Sequence, residues 1–178
     1  AELELYDEEN GNAYEAGICT LKELKIANAP EEMVEIGYEN TKNLLNDNKF
    51  VVTLGGEHSI TSGIVKAFKE KYNELSVLQI DAHADLREDF EGSKHSHACA
   101  MKRTREICPV VQVGIRSLSF EESELIKEKN LKIFWAKDIV DNDKWFDEAI
   151  SRLSKNVYIT FDLDGLDPSI MPSVGTPE

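Results

Sequence analysis

Short apolar runs alternate with helical stripes along this chain, and that alternation restricts its fold more than any other feature. Phe50-Val-Val-Thr-Leu54, Leu75–Ile80, Val110-Val-Gln-Val-Gly-Ile115, residues 131–135 and residues 157–161 each read as a strand. Helical spacing fills the gaps between them. Residues 31–48 carry Met33, Ile36, Leu44 and Leu45 behind Pro30, and residues 59–72 set Ile60, Ile64, Val65 and Phe68 on one face. Ser119-Phe-Glu-Glu122 has the form of a capping box opening a further helix, and residues 145–153 supply the last. Residues 86–96 lack periodicity and read as a loop. The strands are nearly continuous apolar runs rather than clean alternations, the pattern of a parallel sheet covered on both faces. At 178 residues the expectation is one domain, residues 1–178, built as a three-layer α/β/α structure on a mostly parallel sheet.

Composition narrows the partners. The apolar share of 41% and aromatic share of 8% are those of an ordinary globular protein. A net charge of −14 argues against nucleic acid and anionic membranes, which require basic patches. It suits a cationic substrate, although solubility alone accounts for it as well. No apolar run approaches the roughly 20 residues needed to span a bilayer, and no signal peptide opens the sequence. Cys19, Cys99 and Cys108 are odd in number and lack CxxC spacing, which fits reduced thiols in a cytoplasmic protein.

The chemistry gathers just beyond the strands. His58 follows the first apolar run, Asp81-Ala-His83-Ala-Asp85 the second, and Asp162-Leu-Asp164 the last. In open parallel sheets ligands bind at the carboxyl ends of strands, so these clusters are expected to meet in one crevice. On an extended chain Asp162 and Asp164 would lie about 6.6 Å apart on one face, and a metal pair about 3.5–4 Å apart fits between such carboxylates. Asp81 and Asp85 would be about 13 Å apart if the strand continued, so the chain must curl near His83 and leave Asp85 on a loop. Packed carboxylates repel unless cations neutralise them, and two divalent cations would balance Asp81, Asp85, Asp162 and Asp164. A donor set rich in carboxylates, with imidazoles and no thiolate, favours manganese over structural zinc. A hydroxide held between two metals is a nucleophile at neutral pH. The residues alone therefore point to a two-metal hydrolase with His58, Asp81, His83, Asp85, Asp162 and Asp164 as ligands.

Gly55-Gly-Glu-His-Ser59, Asp81-Ala-His-Ala-Asp85 and Thr160-Phe-Asp-Leu-Asp-Gly-Leu-Asp-Pro168 resemble, in order, three signatures of the ureohydrolase family of arginases and agmatinases. The resemblance runs from about Leu3 to the last residue. It implies an arginase/deacetylase-like fold and two Mn2+ per chain. His58, Asp81, Asp85 and Asp162 would hold one ion, and Asp81, His83, Asp162 and Asp164 the other, with Asp81 and Asp162 bridging. It further implies that a bridging hydroxide, oriented by Asp85, attacks a guanidinium carbon, and that urea and an amine are released. Family members keep a proton-donating histidine in the loop after the second signature. His97, in Ser96-His97-Ala-Cys-Ala-Met101, takes that role by resemblance, with His95 as its competitor. Arg116 in Gly114-Ile-Arg-Ser117 also matches a family position and reads as structural.

The loop from Leu86 to Lys94 lacks the Asn- and Ser-rich pattern by which arginases grip an amino acid, and is closer to prokaryotic agmatinases. Agmatine, cleaved to putrescine and urea, is thus the expected substrate, and other guanidino compounds the alternative. The resemblance also implies a homo-oligomer, commonly trimer-based, and a family domain continuing beyond both ends of this chain. The competing readings are a one-zinc amide deacetylase of related fold, which typically needs a His-His pair that this sequence lacks, and a metal-binding piece without catalysis.

Overall fold

A computed structural model describes residues 5–178. Strands β1 (Leu75–Ile80), β2 (Val110–Ile115), β3 (Ile133–Trp135) and β4 (Asn156–Phe161) form one four-stranded parallel sheet in the order β3-β2-β1-β4. Between and before them lie helices α1 (Pro30–Asn46), α2 (Thr61–Lys71), α3 (Ala100–Arg105), α4 (Phe120–Glu128), α5 (Ala136–Ile139) and α6 (Trp145–Ser151). Among the described residues no helix is long and apolar enough to cross a membrane.

Successive strand residues point to opposite faces, and each face carries its own core. On one, Val77, Val110 and Ile115 pack with Val65 of α2, Met101 of α3 and Ile126 of α4. On the other, Val111, Val113 and Phe134 pack with Ala149 of α6, and Ile139 of α5 lies alongside. Both faces are covered, so all of β2 is buried, as a central parallel strand requires. Each fully buried aliphatic side chain contributes about 1.5–3 kcal/mol. The three layers expected from the sequence are therefore present.

Local sequence sets the helix ends. Pro30 occupies the first turn of α1, where its missing N–H would have had no partner, and Glu31 and Glu32 complement the helix dipole. At α4 the capping box is complete: Glu122 N–H donates to Ser119 Oγ at 3.3 Å, and Ser119 N–H to Glu122 Oε2 at 2.7 Å. The other Glu122 oxygen accepts from Leu86 N–H at 2.7 Å, which ties α4 to the loop after β1.

The run at residues 50–54 does not form the expected strand. Phe50, Val52 and Leu54 are 94%, 72% and 92% exposed. A strand exists only through a paired neighbour, and β4, the nearest sheet edge, is separated from Thr53 and Gly55 by a groove of about 260 Å3. Val51 alone turns inward, against the Tyr38–Leu45–Ala67 cluster. The expected strand at 131–135 shortens to Ile133–Trp135, the helix at 59–72 begins with a 3-10 turn at His58–Ile60, and α3 was not anticipated.

Candidate metal centre

The site lies where β1 and β4 end side by side. Asp81 N–H still bonds Val113 O at 3.1 Å, and Asp162 N–H bonds Ile80 O at 2.9 Å, so both aspartates start from sheet geometry. Past Asp81 the chain stays attached to the segment after β2. Arg116 and Ser117 N–H donate to Ala82 O, and Ala84 N–H donates to Ser117 O. The chain curls as the spacing demanded, and Asp85 sits on a loop with φ of 51°. Aspartate tolerates this left-handed region better than most side chains. Its carbonyl accepts from Met101 and Lys102 N–H at the start of α3.

Asp162 and Asp164 are not on an extended chain. Residues Leu163–Gly165 close into a 3-10 turn, capped by Asp162 Oδ1 accepting from Asp164 N–H at 3.2 Å. The extended spacing of about 6.6 Å therefore does not apply, because a short acidic side chain bonds the backbone two residues on. Gly165 is what lets this turn reach β1: a Cβ there would lie 2.9 Å from Asp81 N. Arg116 fastens it from outside, donating to Asp164 O at 2.5 Å, Gly114 O at 3.1 Å and Thr176 O at 2.8 Å.

The donor atoms converge. His58 Nδ1 lies 2.7 Å from Asp85 Oδ2 and 3.2 Å from Asp81 Oδ2, with Nε2 3.1 Å from Thr160 Oγ1. His83 Nδ1 lies 3.0 Å from Asp164 Oδ2 and 3.5 Å from Asp81 Oδ1. His58, Asp81 and Asp162 form one triad and Asp81, His83 and Asp164 another, with ligand atoms in each within 4.8 Å of one another. Asp81 belongs to both. Asp85 stands outside the triads, against His58.

Burial disfavours the His58 imidazolium, yet the hydrogen bonds and charges of Asp81 and Asp85 outweigh it and push His58 up to about 10. His83 rises to about 9, chiefly through its bond to Asp81 and against partial burial. Burial would raise Asp81 as well, but bonds from His58 and His83 hold it well below the usual carboxylate range. Asp85 is raised by burial. Asp164 is raised by burial first and then by the charges of Asp81 and Asp162, against a bond from Ala82 N–H. Imidazolium protons thus hold the carboxylates together, at positions that suit divalent cations. The donor set of carboxylates and imidazoles around a shared aspartate fits a pair of such ions.

A cavity of about 430 Å3 opens over these ligands, walled by Glu57, Arg87, Phe90, His97 and Ser117 among others. His97 is half exposed, its Nδ1 3.2 Å from Glu57 Oε1 and its ring edge-on to Phe90 at 5.6 Å. His95 does not line the cavity, and its buried Nδ1 has no hydrogen-bond partner. Sequence reading missed Glu57, Thr160, Gln79 and Gln112. Glu57 and Thr160 lie within the quoted signatures but were given no role there, and the glutamines interrupt otherwise apolar strands, a signal that was available.

Two His/Asp triads thus stand at the carboxyl ends of β1 and β4, the place where open parallel sheets hold their ligands. The arginase family model matches residues 1–178, and the chain belongs to that family. It is 44% identical over 187 residues to an N(1)-aminopropylagmatine ureohydrolase of Synechocystis sp., covering 99% of this chain and 61% of that protein. A protein of the same name from Thermus thermophilus is 42% identical, over 85% of this chain and 52% of its own length. The crystal structure of agmatine ureohydrolase of Thermoplasma volcanium superposes with a TM-score of 0.88 at 33% identity, covering 99% of this chain and 61% of that one. The chain thus spans about half to three fifths of the length of these relatives.

Proposed function

We infer that this chain carries the metal centre of a manganese-dependent ureohydrolase that removes urea from a cationic alkylguanidine. The observation that carries the reading is Asp81, shared between two His/Asp triads on the floor of one open cavity. His58, Asp81 and Asp162 would hold one cation and Asp81, His83 and Asp164 the other, with Asp85 beside His58. Manganese suits a carboxylate-rich set without thiolates. When bound, such a pair supplies Lewis acidity and a nucleophile drawn from water at neutral pH.

The protein's own groups do the rest. Asp85, buried and anchored by its carbonyl at α3, orients the attacking group. His97, at the cavity wall, gives its proton to the departing amine, a step typically worth about 10²–10⁴ in rate. Glu57 accepts from His97 Nδ1 and so fixes the ring, leaving Nε2 for the substrate. The names of the relatives support an aminopropyl derivative of agmatine as substrate, and the agmatine ureohydrolase structure supports agmatine itself. Both are cations without a carboxylate, in keeping with the loop at residues 86–96 and with a net charge of −14. A trimer-based homo-oligomer in the cytoplasm belongs to the same reading.

Urea release from N-aminopropylagmatine, agmatine and arginine, with and without manganese, tests the reading on the whole protein. Manganese-dependent release from the first two and none from arginine is expected. A preference for arginine overturns the substrate, and no urea from any of them at two bound metals per chain overturns catalysis.

A further inference from the structure

Two glutamines occupy positions where buried parallel strands ordinarily carry aliphatic side chains. Gln79 of β1 and Gln112 of β2 are register partners, and neither exposes any surface. A buried amide left without partners is strongly destabilising, so each of their hydrogen bonds matters. Gln79 Nε2 donates to Asp81 Oδ2 at 2.8 Å and to His83 O at 3.1 Å. Gln79 Oε1 accepts from Gln112 Nε2 at 2.6 Å, and the same nitrogen donates to Ala84 O at 2.8 Å. Gln112 Oε1 in turn accepts from Arg105 Nε at 3.3 Å and Nη2 at 3.0 Å, while Nη2 also reaches Val110 O at 3.1 Å.

The direction of this chain is forced. A guanidinium can only donate, so Gln112 must turn its carbonyl toward α3. Its NH2 is then left for Gln79, whose carbonyl becomes occupied and whose own NH2 must face Asp81. The Arg105 charge thus acts across two strands on the one carboxylate common to both triads. The same donors hold the His83 and Ala84 carbonyls, and with them the curl that presents His83 and Asp85.

We propose that Arg105, Gln112 and Gln79 are positioning residues: a one-way hydrogen-bond chain that aims the Asp81 carboxylate and fixes the backbone from His83 to Ala84 for metal binding. This rests on the metal-centre reading above. The amide occupies one lone pair of Asp81 Oδ2 and restricts its rotation, leaving the remaining lone pairs directed at the cations.

Gln112→Glu tests the direction rather than the presence of the chain. It keeps the volume and pairs with Arg105, but cannot donate to Gln79, which must then turn its NH2 away from Asp81. Manganese affinity, titrated calorimetrically in the whole protein, should fall about 10–100-fold, the usual cost of losing a partner behind a metal ligand. The electron paramagnetic resonance signal of the bound manganese pair should change with it, both being read below the variant's own melting midpoint so that the protein compared is folded. Arg105→Met, which removes the donor without substituting a strand residue, should weaken binding in the same sense, and Arg105→Lys, which keeps a donor, should restore most of it. Wild-type affinity and signal in both Gln112→Glu and Arg105→Met overturn the proposal. Failure of the wild-type protein to bind manganese overturns the metal-centre reading itself, and the proposal with it.

Discussion

Asp81 is 1% exposed, accepts from a backbone amide, a glutamine and a histidine, and still offers oxygen to two triads. The other acidic ligands serve one triad at most, and this difference can be measured. Asp81→Ala should reduce bound metal from two ions to near none, whereas Asp164→Ala should leave one, as read by metal quantitation after gel filtration. Equal losses in the two variants would show that the sharing is not confined to Asp81. His97 touches no member of either triad, so His97→Ala should keep its metal while turnover falls about 10²–10⁴-fold. Full activity in that variant would return the proton to water, since His95 does not line the cavity.

The elements β1 and β4 bring the triads together only because the turn at Leu163–Gly165 fits against Asp81. Gly165→Ala places a methyl 2.9 Å from backbone that cannot yield, and overpacking of this kind costs about 1–3 kcal/mol. Denaturant unfolding of that variant should show the loss, and its manganese affinity should drop together with stability. Further along, Asp167 accepts from Ser169 N–H at 2.8 Å and Glu178 N–H at 2.9 Å, and the Ser169 side chain first, then these two amides, hold its carboxyl at about 2. A lowered folded value means that this contribution is complete above the ordinary carboxylate pKa of about 3.9 and is lost as pH falls through about 2. The Ser169 amide resonance should therefore titrate with a midpoint near 2, and a midpoint near 4 would show the bond unmade.

The same elements show what the residues alone could reveal. β1 and β2 were legible to the residue, because both are continuous apolar runs buried on two faces. The run at residues 50–54 has the same composition but no strand beside it among the described residues, and composition cannot report a missing neighbour. The curl at Asp85 followed from simple reach, since two ligands about 13 Å apart on a strand cannot share a site. The turn at Asp162–Gly165 was invisible, because alternating acids read equally well as strand or as a capped turn. Gln79 and Gln112 passed as ordinary strand residues, since only the register reveals that they face each other.

At the scale of the whole molecule, the acidic residues that meet at the centre come from segments as far apart as Asp81 and Asp164, so on the proposed reading cations would bind the assembled fold and not the open chain. Stability should therefore rise with manganese, by about 2.7 kcal/mol when the free ion is about a hundred times its Kd, and the melting midpoint should fall back on chelation. A midpoint indifferent to manganese would mean that the centre does not close around metal.

The strand order carries a consequence for the making of the protein. β1 has β2 on one side and β4 on the other, although β4 follows the other three strands in the sequence. A nascent chain therefore presents one edge of its central strand unpaired, with the first half of its ligand set in place, until residues 156–164 emerge. A metal centre built from these residues would have to wait for that moment, and until then the open edge of β1 is exposed to mispairing.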